Sequence, residues 1–238
     1  MTARPGRLHL IPVALGEVAA IPSLPPSTLG IIAALDYFIA ENERSARRFL
    51  KSAGHPGPLQ QLAIERFDKN GNRALASALL QPVLAGRDAG LLSEAGCPAV
   101  ADPGAVVVAT AHELGITVLP HIGPSAVLLA LMASGCNGQC FAFHGYLPVD
   151  RGACSNAIVE LERESRARDM TQIFIETPYR NDALLQTLLR TCAAGTRLCV
   201  ASDLTLDTET IRCRTIAEWR TENITIGRQP SVFVLYAR

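Results

Sequence analysis

Short unbroken apolar runs alternate with helical stripes along the chain, and this alternation predicts an α/β protein. Residues 8–15 form a continuous apolar run of strand length, suited to a strand buried on both faces. Pro25-Pro26-Ser27 then starts a helix, with Ser27 as N-cap and residues 28–35 as its body. Tyr37–Ala40 reads as the next strand, and Asn42 caps a helix running to about Ala53. Gly54-His55-Pro56-Gly57-Pro58 is a turn cluster, followed by two helical segments at about residues 59–67 and 73–85. A strand at Ala89–Leu92, a helix near residues 103–114, a strand at 117–119 and a helix over 125–133 come next.

Strands lie closer together after that, at about residues 141–145, 171–175, 198–202, 211–214 and 232–236. The helices between them cover about 153–167, 181–192 and 216–221. The fold class expected is therefore α/β with two domains, a mainly parallel N-terminal sheet and a mixed C-terminal one. Tyr146-Leu147-Pro148 ends one strand and Val149–Gly152 is polar, which puts the boundary between domains 1–148 and 149–238.

Composition narrows the function classes. Hydrophobic residues make up 48% of 238 and aromatics only 5%, so the core is large and aliphatic. Twenty-two basic and twenty-two acidic residues cancel, so an RNA contact would come from a local patch rather than net charge, and self-association is favoured. Such a patch exists at helical spacing, because Arg44, Arg47, Arg48 and Lys51 share one face of the helix capped by Asn42. Seven scattered cysteines without CxxC or zinc-finger spacing read as reduced thiols and give no metal site. With no signal-peptide core near the N-terminus and no apolar run of about 20 residues, the protein is expected to be cytoplasmic and off the membrane.

Two loops carry the chemistry. Ser93-Glu94-Ala95-Gly96-Cys97-Pro98-Ala99-Val100-Ala101-Asp102-Pro103-Gly104 leaves the carboxyl end of a strand, where open α/β sheets bind ligands. Ile122-Gly123-Pro124-Ser125-Ala126 follows the next strand in the same way. Taken alone, the first loop is also an ordinary strand–helix connection with Asp102 as N-cap and Pro103 at the first helical position. GxGxxG, GxxxxGK[ST], HExxH and GxSxG motifs are all absent.

In collinear order these segments resemble the tetrapyrrole-methylase superfamily of S-adenosylmethionine-dependent methyltransferases. The nearest branch methylates a ribose 2′-oxygen of small-subunit ribosomal RNA. Its SDAGTPxxSDPG loop is similar to residues 93–104, its PGPSA to residues 122–126 and its F-x-GFLP to residues 143–148. Its FYESPHR is echoed by Phe174–Arg180, its ELT by Asp203-Leu204-Thr205, its opening VPTPIGN by residues 11–17, and its AEDTR by Ala40-Glu41-Asn42-Glu43-Arg44. The resemblance implies S-adenosylmethionine bound in a cleft between the domains. Leu15, Gly96, Cys97, Pro98, Val100, Ser125, Ala126, Glu176, Ala201, Leu204 and Ser231 would contact it, and the enzyme would be a homodimer.

An alcohol acceptor would need a general base, with Glu41, Glu94 and Asp102 as candidates. Arg44, Arg47 and Arg48 would meet phosphates of an RNA substrate. The departures gather on the acceptor side: Asn42 stands for the motif's acid, Glu43 for its threonine and Leu206 for the lysine after ELT. The branch's C-terminal extension has no counterpart before Arg238. A ribose of ribosomal or other RNA, a tetrapyrrole-like or other small acceptor, and a non-catalytic paralogue binding cofactor or RNA are the readings these residues leave open.

Overall fold

A computed structural model describes residues 4–16 and 23–238. Glu17, the last residue of the opening turn, and the first three residues lie outside that description. The chain divides into two compact units, Met1–Ser125 and Ala126–Arg238.

The first unit is a five-stranded sheet in which every pairing is parallel, ordered β3-β2-β4-β1-β5. Its strands are β1 (Arg7–Ile11), β2 (Tyr37–Ala40), β3 (Ala63–Arg66), β4 (Ala89–Leu92) and β5 (Thr117–Pro120). Between them run α1 (Pro26–Ala34), α2 (Glu43–Ser52), α3 (Arg73–Leu79), α4 (Gln81–Leu84) and α5 (Gly104–Glu113). Strand alternation feeds both faces. Phe38 and Ala40 join Ile32, Phe49 and Leu50 under α1 and α2, whereas Tyr37 and Ile39 join Ala76, Leu80, Val83 and Val107 under α3, α4 and α5. Gly90 is required by that packing, because a Cβ there would lie 2.7 Å from the Phe38 ring.

The topology opens a crevice at one edge of the sheet's core. The chain leaves β1 toward the α1/α2 face and leaves β4 toward the α5 face, and β1 and β4 are neighbours. Their carboxyl ends therefore flank the switch point of the sheet, where departing loops open a crevice.

The second unit is a mixed sheet ordered β6-β7-β10-β8-β9, with β6/β7 parallel and the other pairs antiparallel. Its strands are β6 (Phe141–Tyr146), β7 (Thr171–Ile175), β8 (Arg197–Ser202), β9 (Thr210–Thr215) and β10 (Ser231–Tyr236). Helices α7 (Arg151–Arg168), α8 (Asn181–Thr191) and α9 (Ile216–Thr221) bury Ile158, Leu188 and Trp219 against Phe174, Val200 and Phe233 of the sheet. Helix α6 (Ala126–Ser134) packs on β8, β9 and β10. The α/β class with a parallel first sheet and a mixed second one is as the sequence predicts.

Several local expectations are corrected. Residues 59–67 are not a helix: a single 3-10 turn at Leu59–Gln61 leads into β3, which pairs with β2 and buries Ile64. β1 stops at Ile11, because Pro12 has no N–H to continue the ladder. The helix over 73–85 is broken into α3 and α4, with Pro82 in the first turn of α4. Pro25 rather than Ser27 caps α1, with Pro26 at the first helical position, where its fixed φ suits a helix start. The boundary expected after Pro148 falls inside the second unit, since α6 packs on that unit's sheet and β6 pairs with β7.

Candidate active site

The crevice of the first unit is built by three loops locked to one another. After β1, Val13 and Gly96 exchange both backbone hydrogen bonds, at 2.9 Å each. The Ser93 hydroxyl donates to the Gly96 carbonyl at 2.8 Å, and Gly96 sits at φ +72°, a conformation open to glycine at little cost. After β5, Thr28 donates to the Ile122 carbonyl at 2.8 Å, and the Cys97 thiol reaches the Pro124 carbonyl at 3.5 Å. Gly123 is pressed against the β1 loop, and a Cβ there would lie 2.4 Å from the Cβ of Pro12.

Loop 93–104 stores strain. Ala99 and Ala101 both have positive φ, at 66° and 54°, a region that costs an L-residue roughly 1–2 kcal/mol. Asp102 holds them there. Its Oδ1 accepts from Ala99 N at 3.1 Å and from Gly104 N at 2.7 Å, closing the loop onto the start of α5. Asp102 thus does capping work one residue before the formal N-cap, Pro103. Val100, between the two strained alanines, stays half exposed. Strained backbone held by its surroundings is a mark of functional loops.

Beside this platform lies a cleft of about 530 Å³ lined by Ala14, Leu15, Gly16, Ser45, Arg48 and Glu94, among others. The Ser45 hydroxyl donates to Glu94 Oε1 at 2.7 Å. Burial, and then the charges of Asp102 and Glu94, raise the Glu41 carboxyl above its ordinary value. Burial also raises Asp102, against the lowering effect of its two backbone donors. The structure therefore brings Glu41, Glu94 and Asp102 into one electrostatic neighbourhood at the carboxyl ends of β2 and β4.

Helix α2 starts there because Asn42 Oδ1 accepts from Arg44 N at 2.9 Å and Ser45 N at 3.4 Å. Of its cations, Arg44 is exposed and Arg48 lines the cleft. Arg47 is held back, donating to the Leu59 carbonyl at 2.5 Å and lying 3.6 Å from Glu43.

In the second unit, Glu176, Ala201, Leu204 and Ser231 gather at one end of the sheet, because β10 starts where β7 and β8 finish. Glu176 is almost wholly buried. Its Oε1 accepts from Thr177 N at 2.7 Å, and Oε2 lies 3.2 Å from the Arg180 guanidinium. Ser231 and Ser202 share a hydrogen bond of 2.7 Å. Asp203 is held at φ +51° while its Oδ2 accepts from Thr208 at 2.8 Å and from Gln229 at 2.6 Å. Asn181 Nδ2 donates to the Gln229 carbonyl at 2.7 Å, and its buried Oδ1 has no partner among the described residues. Arg180, Asn181, Asp203 and Gln229 did not figure among the expected site residues; Arg180 and Asp203 lie within the segments 174–180 and 203–205, whereas the Asn181–Gln229 link spans 48 positions and leaves no local signal. Among the described residues no group of metal-ligating side chains forms, and no helix is long and apolar enough to cross a membrane.

Small side chains, glycines that admit no Cβ, exposed main chain and buried carboxylates suit a nucleoside-bearing sulfonium cofactor. Gly123, which leaves no room for a Cβ beside Pro12, and Gly96, held at positive φ, are the clearest signs. When bound, S-adenosylmethionine would supply an activated methyl group, leaving the protein to hold the acceptor, keep out water and take up a proton.

Comparison with solved structures gives the fold. Diphthine synthase matches with TM-score 0.70 at 13% identity, covering 98% of this chain and 90% of that one. The methyltransferase CobJ matches with TM-score 0.65 at 16% identity, covering 97% and 94%. Uroporphyrin-III C-methyl transferase from Thermus thermophilus, in complex with S-adenyl homocysteine, matches with TM-score 0.60 at 17% identity, covering 97% of each chain. The fold is the one these solved methyltransferase structures share, two α/β units in one chain.

No protein-family model matches the chain. Among curated relatives, ribosomal RNA small subunit methyltransferase I of Xylella fastidiosa strain Temecula1 is 31% identical over 218 residues, 92% of this chain and 76% of the relative. The protein of the same name from Vibrio cholerae is 30% identical over 211 residues, covering 89% and 69%, and that of Escherichia coli O157:H7 is 30% identical over 213 residues, covering 90% and 70%. The chain belongs to the ribosomal RNA small subunit methyltransferase I family, and it is a methyltransferase.

Proposed function

We propose that this enzyme transfers the methyl group of S-adenosylmethionine to a ribose 2′-oxygen of small-subunit ribosomal RNA in the cytoplasm. The supporting observation is the conjunction of a rigid main-chain platform at the β1/β4 switch point with three carboxylates and a cationic helix face beside it. The 93–104 and 122–126 loops take the cofactor through Gly96, Cys97, Pro98, Val100 and Ser125, with Leu15 from the β1 loop.

Transfer from a sulfonium is an in-line displacement, so positioning supplies most of the catalysis and the acceptor hydroxyl must lose a proton. Glu41 is the base. Asp102 is engaged by two backbone amides and Glu94 by Ser45, whereas the raised affinity of Glu41 for a proton suits it to accept one. Arg44 and Arg48 contact RNA phosphates, and Arg47 orients the helix from its tie to Leu59.

The enzyme works as a homodimer. Leu128 and Met132 of α6 and Phe141 and Tyr146 of edge strand β6 are 49%, 78%, 41% and 57% exposed, apolar surface that a second copy of the chain would cover. The test is mass mapping of 2′-O-methyl nucleotides in ribosomal RNA from a strain lacking the gene. Loss of one methylated ribose, restored by the parent gene and not by Glu41→Gln, is the expected result. An unchanged pattern overturns the RNA assignment and leaves a small acceptor.

A further inference from the structure

Three of the seven cysteines, far apart in sequence, meet on the sheet face of the second unit opposite α7 and α8. Cys199 and Cys213 are direct partners across the antiparallel β8/β9 pair. Leu198 and Val200, which flank Cys199, point into the α7/α8/α9 core, so Cys199 and its partner face the side on which α6 packs. The loop leaving α6 brings in Cys136, whose backbone N–H is fixed on the Ser134 hydroxyl at 3.1 Å just after Gly135 turns the chain at φ +65°. The Cys136 thiol donates to the Ser134 carbonyl at 3.9 Å, and the Cys136 and Cys199 thiols both neighbour the Cys213 sulfur. A guanidinium nitrogen of Arg197 lies 3.5 Å from that same sulfur. The neighbouring thiols and the Arg197 guanidinium hold Cys213 below the ordinary thiol range, while its proximity and burial push Cys136 and Cys199 up. Cys213 and Cys136 are both partly accessible, and Cys199 is fully buried.

We propose that Cys213 is a reactive thiolate, oxidised by hydroperoxides and resolved by Cys136 into a disulfide that ties the α6 loop to edge strand β9. The thiolate attacks the peroxide O–O bond. An S–O bond forms, the O–O bond breaks, and the departing hydroxide takes a proton to leave as water. Sulfur loses two electrons and peroxide gains them. The Cys136 thiol then attacks the sulfenic sulfur, forming S–S as S–O breaks, and a second water carries off the thiol proton. Cys136 is the resolving group because it is partly accessible, whereas Cys199 is fully buried within the β8 ladder. Methyl transfer uses none of these residues, so the site is independent of the function proposed above.

Two measurements on the purified reduced protein test this. At pH 6, limiting iodoacetamide should alkylate Cys213 at least about tenfold faster than any other cysteine, because an ordinary thiol is almost wholly protonated there. Equal labelling, or preference for another cysteine, would overturn the proposal. With hydrogen peroxide, peptide mapping should show a Cys136–Cys213 disulfide and five remaining thiols of the seven. Cys136→Ser should instead trap a dimedone adduct on Cys213, and Cys213→Ser should leave Cys136 reduced. A Cys199–Cys213 disulfide, or first oxidation at Cys97, contradicts the assignment.

Discussion

Replacing Asp102 with alanine removes the acceptor on which loop 93–104 closes. The carboxylate receives two backbone N–H groups, from Ala99 and Gly104. Hydrogen bonds to a charged acceptor contribute about 1.5–3 kcal/mol each, with the lower end apt for a half-buried group. Against their loss stands the release of strain at Ala99 and Ala101, which recovers part of roughly 1 kcal/mol at each. The net expectation is a loss of about 2–3 kcal/mol for Asp102→Ala, and about 1 kcal/mol for Asp102→Asn, which keeps a neutral acceptor at Oδ1. If the loop's closed shape is what receives the cofactor, affinity for S-adenosylmethionine should fall by about tenfold or more in the alanine variant, since 1.4 kcal/mol is a factor of ten. Urea unfolding and calorimetric titration measure both quantities. A variant that unfolds and binds cofactor like the parent, yet turns over a thousandfold more slowly, would refute this reasoning and make Asp102 a chemical group.

Three further outcomes are expected. Gly123→Ala forces a Cβ to 2.4 Å from that of Pro12, so it should destabilise the protein by about 1–3 kcal/mol in urea melts and weaken cofactor binding; parent-like behaviour would show that the two loops are not locked. Burial holds His9 and His121 below their ordinary pKa of 6.5, so the folded chain binds fewer protons than the unfolded chain. That contribution is intact above about pH 6.5 and is lost as pH falls through the folded-state values, and His121→Gln should flatten the fall in melting temperature between about pH 7 and 5.5. An unchanged slope would exclude the His9–His121 pair, joined at 2.8 Å, as its source. Arg180→Gln leaves the nearly fully buried Glu176 carboxylate without its cation at 3.2 Å, and should cost about 3 kcal/mol, mostly regained when Glu176→Gln is added; additive losses in that double-mutant cycle would argue against the pair.

What the chain reveals by itself follows from how local each cause is. Strands β2 and β4 are buried on both faces and so are written as unbroken apolar runs, while the cap of α2 needs only Asn42 and the two amides that follow. The glycines and prolines of 93–104 and 122–126 announce shaped loops at strand ends. Strand β3 is the opposite case. Ala63-Ile64-Glu65-Arg66 suits a helix as well as an edge strand, and only its pairing with β2 decides. The positive φ values at Ala99 and Ala101 carry no glycine to mark them, because Asp102 imposes them. The link from Asn181 to Gln229 and the meeting of Cys136, Cys199 and Cys213 depend on sheet order, which no short window contains.

The most direct test incubates purified enzyme with small ribosomal subunits from a strain lacking the gene and with methyl-tritiated S-adenosylmethionine. The RNA is then digested to nucleosides and analysed by mass spectrometry. Incorporation of one label per subunit into a 2′-O-methyl nucleoside, abolished by Glu41→Gln, is the result predicted. Label on a base, or none on RNA while the cofactor still binds, would contradict it.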